Sequence, residues 1–208
     1  SDKAPDEDII SKVSLFCSVP ESAVVPSTTV KCLYDAPIML YKNGLYAAVA
    51  QTLSLDGKCD LSGWKQKVQA MKNAKKNVKI AIVGKYVALR DSYISLVEAV
   101  RHAAGENGVN AELLWVDSET VTNSNVAKKL KEADGIIVPG GFGTRGVEGM
   151  IAACRYARET GLPYLGICLG MQIAVIEFAR DVAGIKDATS GEFLSETSGE
   201  GPAVIDIL

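Results

Sequence analysis

Residues 135–180 read GIIVPGGFGTRGVEGMIAACRYARETGLPYLGICLGMQIAVIEFAR. Gly135–Val138 (GIIV) and Pro163–Ile167 (PYLGI) are short, near-continuous apolar runs, the mark of strands buried on both faces. Each runs into a glycine-bearing turn and then a helical pattern, over 146–160 and 169–180. The same rhythm extends upstream. Val78–Val83 (VKIAIV) predicts a strand ending at Gly84. Residues 92–106 predict a helix with Ser92 as N-cap and Asn107-Gly108 as its stop. Ala111–Val116 (AELLWV) predicts a further strand, and a short helix follows around 124–132. Strand and helix in alternation imply an α/β fold, a parallel sheet with helices on both faces. Ligands of such sheets sit at the carboxyl ends of the strands, which singles out the residues after Val83, Val138 and Ile167.

Residues 1–77 have a different texture. The first ten or so residues are polar and acidic, and read as a frayed lead-in. Val13–Cys17 reads as a strand, and Pro20 and Pro26 punctuate a loop around Ala23-Val24-Val25. Leu45–Leu55 suggests a buried helix, closed by a turn at Asp56-Gly57-Lys58. Residues 60–75 place Leu61, Trp64, Val68 and Met71 on one helical face. The polar, lysine-rich stretch 56–77 is expected to link two domains, 1–55 and 78–208.

Composition narrows the function classes. The chain has 208 residues, 48% of them hydrophobic and 23% charged, an ordinary globular balance with enough apolar residues for a sizeable core. A formal net charge of −3 gives no general attraction to nucleic acid or an anionic membrane. No apolar run approaches the ~18 residues of a membrane span, and the acidic N-terminus is unlike a secretory signal. Five cysteines without a C-x-x-C pair, beside one histidine, argue against a zinc cage and suit a reducing, cytoplasmic setting.

One cysteine stands apart. Gly166-Ile167-Cys168-Leu169-Gly170 has the form of a nucleophile elbow with cysteine in the place of serine. A sharp turn between strand and helix lifts the side chain above the sheet, and glycines on either side leave it room. The N-terminal N–H groups of the following helix favour a thiolate. A buried thiol in a tight turn is the alternative reading. The loop Val138-Pro139-Gly140-Gly141-Phe142-Gly143-Thr144-Arg145-Gly146 ends the neighbouring strand and frees backbone N–H groups to face an oxygen. Gly141 and the N–H of Leu169 form the natural oxyanion pair. A phosphate loop is the competing reading, but no Gly-Lys-Ser/Thr follows. Thiol acyl chemistry also needs a base, and the only histidine, His102, falls in the middle of a predicted helix. The sequence is therefore expected to be a fragment whose base and partner carboxylate lie beyond residue 208.

The stretch from Val138 to Arg180 resembles the class I glutamine amidotransferases and, within them, the CTP synthase family. Val83-Gly84-Lys85-Tyr86-Val87, Asp91–Ser95, Ser190-Gly191-Glu192-Phe193, Lys12–Cys17 and Leu33–Pro37 extend the likeness over nearly the whole chain. The resemblance implies a flavodoxin-like three-layer amidotransferase domain, preceded by the end of a P-loop-like synthetase domain. It implies ATP-dependent amination of UTP to CTP in pyrimidine biosynthesis, with ammonia taken from L-glutamine. Cys168 would be the nucleophile and Gly141 and Leu169 the oxyanion donors. Gly141, Leu169, Gly170, Met171, Gln172 and Glu192 would hold glutamine. Lys12 would meet UTP or CTP, Val30 would meet ATP, and Arg145 would couple to the activator GTP. The ATP and Mg2+ sites are expected upstream of this chain, leaving it inactive by itself and without a metal site. CTP would inhibit by feedback, and the parent enzyme would be a cytoplasmic homotetramer with no membrane or nucleic-acid partner. A non-catalytic module on the same fold, or another class I amidotransferase, is the alternative.

Overall fold

The computed structural model describes residues 2–197 and 201–206, and the chain divides into two compact units, 1–73 and 74–208. The apolar run 203–208 (AVIDIL) reads by itself as a strand; Ala203–Ile205 is one, and residues 207 and 208 lie outside the described residues.

The first unit holds helices α1 (Glu7–Cys17), α2 (Ala36–Lys42), α3 (Leu45–Thr52) and α4 (Ser62–Asn73). The strand expected at Val13–Cys17 is instead the second half of α1, and the lead-in expected to fray is its start. The Asp6 carboxylate accepts from the Ile9 N–H at 2.9 Å, and Glu7 and Asp8 oppose the helix dipole in the first turn. Ile9, Val13 and Phe16 follow the helical period rather than the strand's. Helix α3 forms as expected but is not buried: Val49 is 41% exposed, and Val68 of α4 is the one buried residue in the described part of this unit. The stretch expected as a linker contains α4. The Trp64 indole N–H donates to the Tyr34 carbonyl (2.8 Å) and Lys72 pairs with Asp35 (2.6 Å), so the helix belongs to the first unit.

In the second unit, β1 (Lys76–Gly84), α5 (Ile94–Glu106), β2 (Val109–Asp117), α6 (Val126–Leu130), β3 (Gly135–Val138), α7 (Val147–Thr160), β4 (Tyr164–Gly166) and α8 (Leu169–Asp181) alternate. Then β5 (Thr189–Ser190), α9 (Gly191–Thr197) and β6 (Ala203–Ile205) follow, with β5 and β6 paired in parallel. The main sheet has the order β2-β1-β3-β4 and is parallel throughout. Side chains alternate between its faces. Ala81, Val83, Ile136 and Val138 join Met150, Ile151, Ile173 and Ile176 of α7 and α8 in the main core. Val78, Ile80 and Ile137 face the other way, where Leu96 and Val100 of α5 line an apolar trough with them. Ser92 does not cap α5. It sits in a 3-10 turn, Arg90–Tyr93, and Tyr93 precedes the helix. The Tyr93 hydroxyl instead accepts from the Tyr86 N–H and fills the space beside Gly84, where a Cβ would come within 2.6 Å of it.

The register aligns the strand ends. Gly84 pairs with Asp117 and Val138 with Gly166, so the loops after β1, β3 and β4 leave one edge of the sheet together. Among the described residues no helix is long and apolar enough to cross a membrane.

Candidate active site

Only Ile167 and Cys168 separate β4 from α8. So short a reversal forces Cys168 to φ +51° and ψ −105°, a conformation that L-residues rarely adopt. The turn is fixed by the Ile167 N–H on the Val138 carbonyl (3.0 Å) and the Gly170 N–H on the Ile167 carbonyl (3.0 Å). It also explains the flanking glycines. A Cβ on Gly166 would lie 2.3 Å from the Gly170 carbonyl oxygen, and one on Gly170 would lie 2.0 Å from that of Val138. Backbone occupies both places. The Tyr164 hydroxyl donates to the Gly170 carbonyl at 2.8 Å and braces the turn from below. The Cys168 side chain is exposed at the sheet's carboxyl edge, whereas Cys154 of α7 is buried in the core. Burial pushes the Cys154 thiol up to about 11, which keeps it protonated and unreactive.

The loop after β3 lies against this turn. A Cβ on Gly140 would be 3.7 Å from the Cys168 Cβ, and one on Gly141 would be 3.2 Å from Leu169 Cδ2. The structure thus brings Gly140, Gly141, Cys168 and Leu169 together. Gln172, one turn into α8, has a buried side-chain oxygen with no hydrogen-bond partner. An acceptor left so costs about 1–3 kcal/mol unless a donor reaches it. Met171 is 56% exposed and Gly170 is buried under the turn. Glu192, at the start of α9, accepts from the Gly143 N–H through Oε1 at 3.0 Å. Arg145 forms an ion pair with Glu119, approaches the Lys85 carbonyl at 3.3 Å, and stands 5.7 Å over the Tyr86 ring.

Two participants were not singled out by the sequence. Lys85 follows β1, is only 4% exposed, and donates to the carbonyls of Phe142 (2.7 Å) and Gly143. Its burial, and then the Arg145 charge, lower its proton affinity, against opposing effects of Glu192, Glu196 and Glu119. Glu196 accepts from the Thr144 N–H at 3.0 Å. The signals for Lys85 were its place just past the carboxyl end of an apolar strand and within the Val83–Val87 segment of the family likeness; neither gave it a role.

Other expected residues lie apart from this cluster. His102 is an exposed residue well inside α5, eight positions from its start, or about 12 Å along the axis. In the first unit Lys12 is paired with Asp8 one turn away (2.5 Å). Val30 is half-buried, and the hydroxyl of its neighbour Thr29 is bonded to Asp2 (2.8 Å). Among the described residues no three His, Cys, Asp or Glu side chains gather closely enough to hold a metal ion.

Comparison with known proteins identifies the family. The family model "Glutamine amidotransferase class-I" matches residues 88–200. A CTP synthase of Clostridium beijerinckii is 48% identical over 209 residues, covering 100% of this chain and 38% of the relative. That of Ruminiclostridium cellulolyticum is 48% identical over 210 residues, with the same shares. The chain thus spans about two fifths of the length of these relatives. A solved glutaminase domain of a Trypanosoma brucei CTPS, with bound acivicin, superposes with a TM-score of 0.57 at 43% identity, covering 62% of this chain and 50% of that one. With a matching family model over more than half its length and the elbow and glycine loop side by side, the chain belongs to the class I glutamine amidotransferases.

Proposed function

We propose that residues 74–208 form the main part of the glutamine-hydrolysing domain of a CTP synthase, and that residues 1–73 close its synthetase part. The observation that carries this reading is the strained, exposed Cys168 at the end of β4 beside the glycine loop of β3.

The Cys168 sulfur attacks the carboxamide carbon of glutamine. The carbonyl electron pair moves to oxygen, and the N–H groups of Gly141 and Leu169 hold the negative charge. Collapse expels ammonia, which leaves with the proton taken from the thiol, and a glutamyl thioester remains. Water then adds to the thioester and releases glutamate and the thiol. The unpartnered Gln172 oxygen and the Glu192 carboxylate are acceptors suited to the substrate's ammonium. Glu192 keeps a second oxygen for it while the first holds Gly143. His102, deep within α5, does not serve as base. We place the base in the portion of the relatives' length that this chain does not span, so residues 1–208 alone do not turn glutamine over.

In the whole protein the ammonia would be used in the ATP-dependent conversion of UTP to CTP, with CTP as feedback inhibitor, in a cytoplasmic homotetramer. Lys12 would meet the pyrimidine nucleotide and Val30 the ATP. The ATP and Mg2+ sites would lie in the part of the relatives' length that this chain does not span; among the described residues no three His, Cys, Asp or Glu side chains gather to hold the ion. Arg145, within the glycine loop and held by Glu119, would carry the GTP effect.

The test uses the protein at the full length of its relatives. Cys168→Ala is expected to lower glutamine-dependent CTP formation by about four orders of magnitude, while formation from ammonia stays within twofold. Unchanged glutamine-dependent activity in Cys168→Ala would overturn the reading.

A further inference from the structure

Two successive peptide planes of the glycine loop are gripped at both ends. In the first, the Phe142 carbonyl accepts from Lys85 Nζ (2.7 Å) and the Gly143 N–H donates to Glu192 (3.0 Å). In the second, the Gly143 carbonyl accepts from the same Nζ and the Thr144 N–H donates to Glu196 (3.0 Å). A trans peptide points its C=O and N–H in opposite directions. A cation on one side and two carboxylates on the other therefore fix both planes against rotation.

The loop needs such a brace. Gly143 and Gly146 adopt φ +73° and +69°, and a glycine-rich segment is otherwise free to exchange conformers. Lys85 makes one conformer much the best. Its stem passes against Gly141, where a Cβ would be 3.5 Å from Lys85 Cδ, and its ammonium is 4% exposed as a residue. A flipped plane would strip loop carbonyls from a buried cation that water barely reaches, a costly state. Gly141 lies just ahead of these planes, its N–H separated from the first of them by the single 141–142 peptide, so a swing of the clamped planes would carry that N–H with it.

We propose that Lys85 is a positioning residue for the oxyanion loop, holding the 142–144 peptides against Glu192 and Glu196 so that the Gly141 N–H stays aimed at the carbonyl attacked by Cys168. The proposal rests on the glutaminase reading above. It assigns Lys85 no contact with glutamine, so it affects the transition state rather than substrate binding.

The test is again made in the full-length protein. Lys85→Met is expected to lower the glutaminase kcat about 10- to 100-fold with KM within threefold, as for displaced oxyanion donors. Lys85→Arg, which keeps donors for both carbonyls, recovers at least a third of the lost activity on a logarithmic scale. Alkylation of Cys168 by iodoacetamide, a displacement that creates no oxyanion, keeps its rate, and ammonia-dependent CTP formation is unaffected. An unchanged kcat in Lys85→Met, or a parallel fall in alkylation and ammonia-dependent activity, overturns the proposal. Should Lys85→Met not accumulate, the exposed Glu196→Ala decides: a three- to tenfold fall in kcat at constant KM supports it, and no change overturns it. Failure of the glutaminase reading shows separately, as full activity in Cys168→Ala.

Discussion

The two crossovers that meet at the site, β3 to α7 and β4 to α8, start from adjacent parallel strands and reach their helices by opposite routes. The first uses residues 139–146, a loop with four glycines, and enters α7 through Gly146 at φ +69°. The second uses Ile167 and Cys168 alone and enters α8 through Cys168 at φ +51°. On the proposed reading the long connection offers its backbone to the substrate, so its peptide planes must be held, and charged side chains hold them. In the short one it would be the side chain that reacts, and the backbone is bent so that Cys168 is exposed at the sheet's edge. The contrast shows where precision comes from: side-chain clamps in the one, close backbone packing in the other.

Close backbone packing leaves no room for error, and the largest expected effect follows from it. Gly170→Ala would put a Cβ 2.0 Å from the Val138 carbonyl oxygen, with no flexible group to give way. It is expected to destabilise the second unit by about 3 kcal/mol or more in urea unfolding, the upper range for overpacking. Gly140→Ala, whose Cβ would make an ordinary 3.7 Å contact with Cys168 Cβ, is expected to change stability by less than about 1 kcal/mol. Similar losses in both variants would erase the distinction between the two crossovers.

Both crossovers were legible in the sequence because their strands are almost wholly apolar, but only one is buried on both faces: β4 forms the sheet's edge and Leu165 is 54% exposed, since an apolar run does not say which strand lies outermost. Gly135–Val138 is buried at every position and can only be an inner strand of a covered sheet. Glycines on either side of Cys168 likewise encoded the tight turn. The first unit was less legible, because its helices bury so little that periodicity carries a weak signal. Val13–Cys17 looked like a strand by local content, while its helical state is set by Asp6, Glu7 and Asp8, acids that by themselves read as a solvated lead-in. Lys85 could not have been assigned a role, since its partners Phe142 and Gly143 lie 57 and 58 residues away and present only backbone. Glu196 escaped for the same reason: a carboxylate that caps a loop N–H leaves no residue pattern.

The cysteines sharpen the same contrast by pH. Cys154, on the helix of the first crossover, has its proton held by burial, so its thiol ionises near 11 when folded and near 9.0 when unfolded. A raised folded value means that the contribution to stability is complete below pH 9 and is lost as pH rises toward 11, because only the unfolded chain gains from releasing the proton. The loss is expected to reach about 2 kcal/mol by pH 11, and to shrink in Cys154→Ala, as read from urea midpoints across that range. Brief treatment with a maleimide at pH 8 should modify the exposed Cys168 and spare Cys154 until the chain is unfolded.

Gly141→Ala carries the finest test, because it disturbs the reagent without breaking the scaffold. Its Cβ would lie 3.2 Å from Leu169 Cδ2 and 3.5 Å from Lys85 Cδ, contacts that a shift of a few tenths of an ångström relieves. Gly141 needs no positive φ, so the backbone itself accepts alanine. The variant should unfold at nearly the same urea concentration as the parent, yet the loop moves off Leu169, the other half of the proposed oxyanion pair. Donors that must sit within a few tenths of an ångström of the developing charge do not tolerate that displacement, and kcat for glutamine is expected to fall about tenfold, or 1.4 kcal/mol of transition-state stabilisation. An unaltered kcat would mean that the Gly141 N–H is not a donor to the oxyanion, and the long crossover would then lose its role while the elbow kept its own.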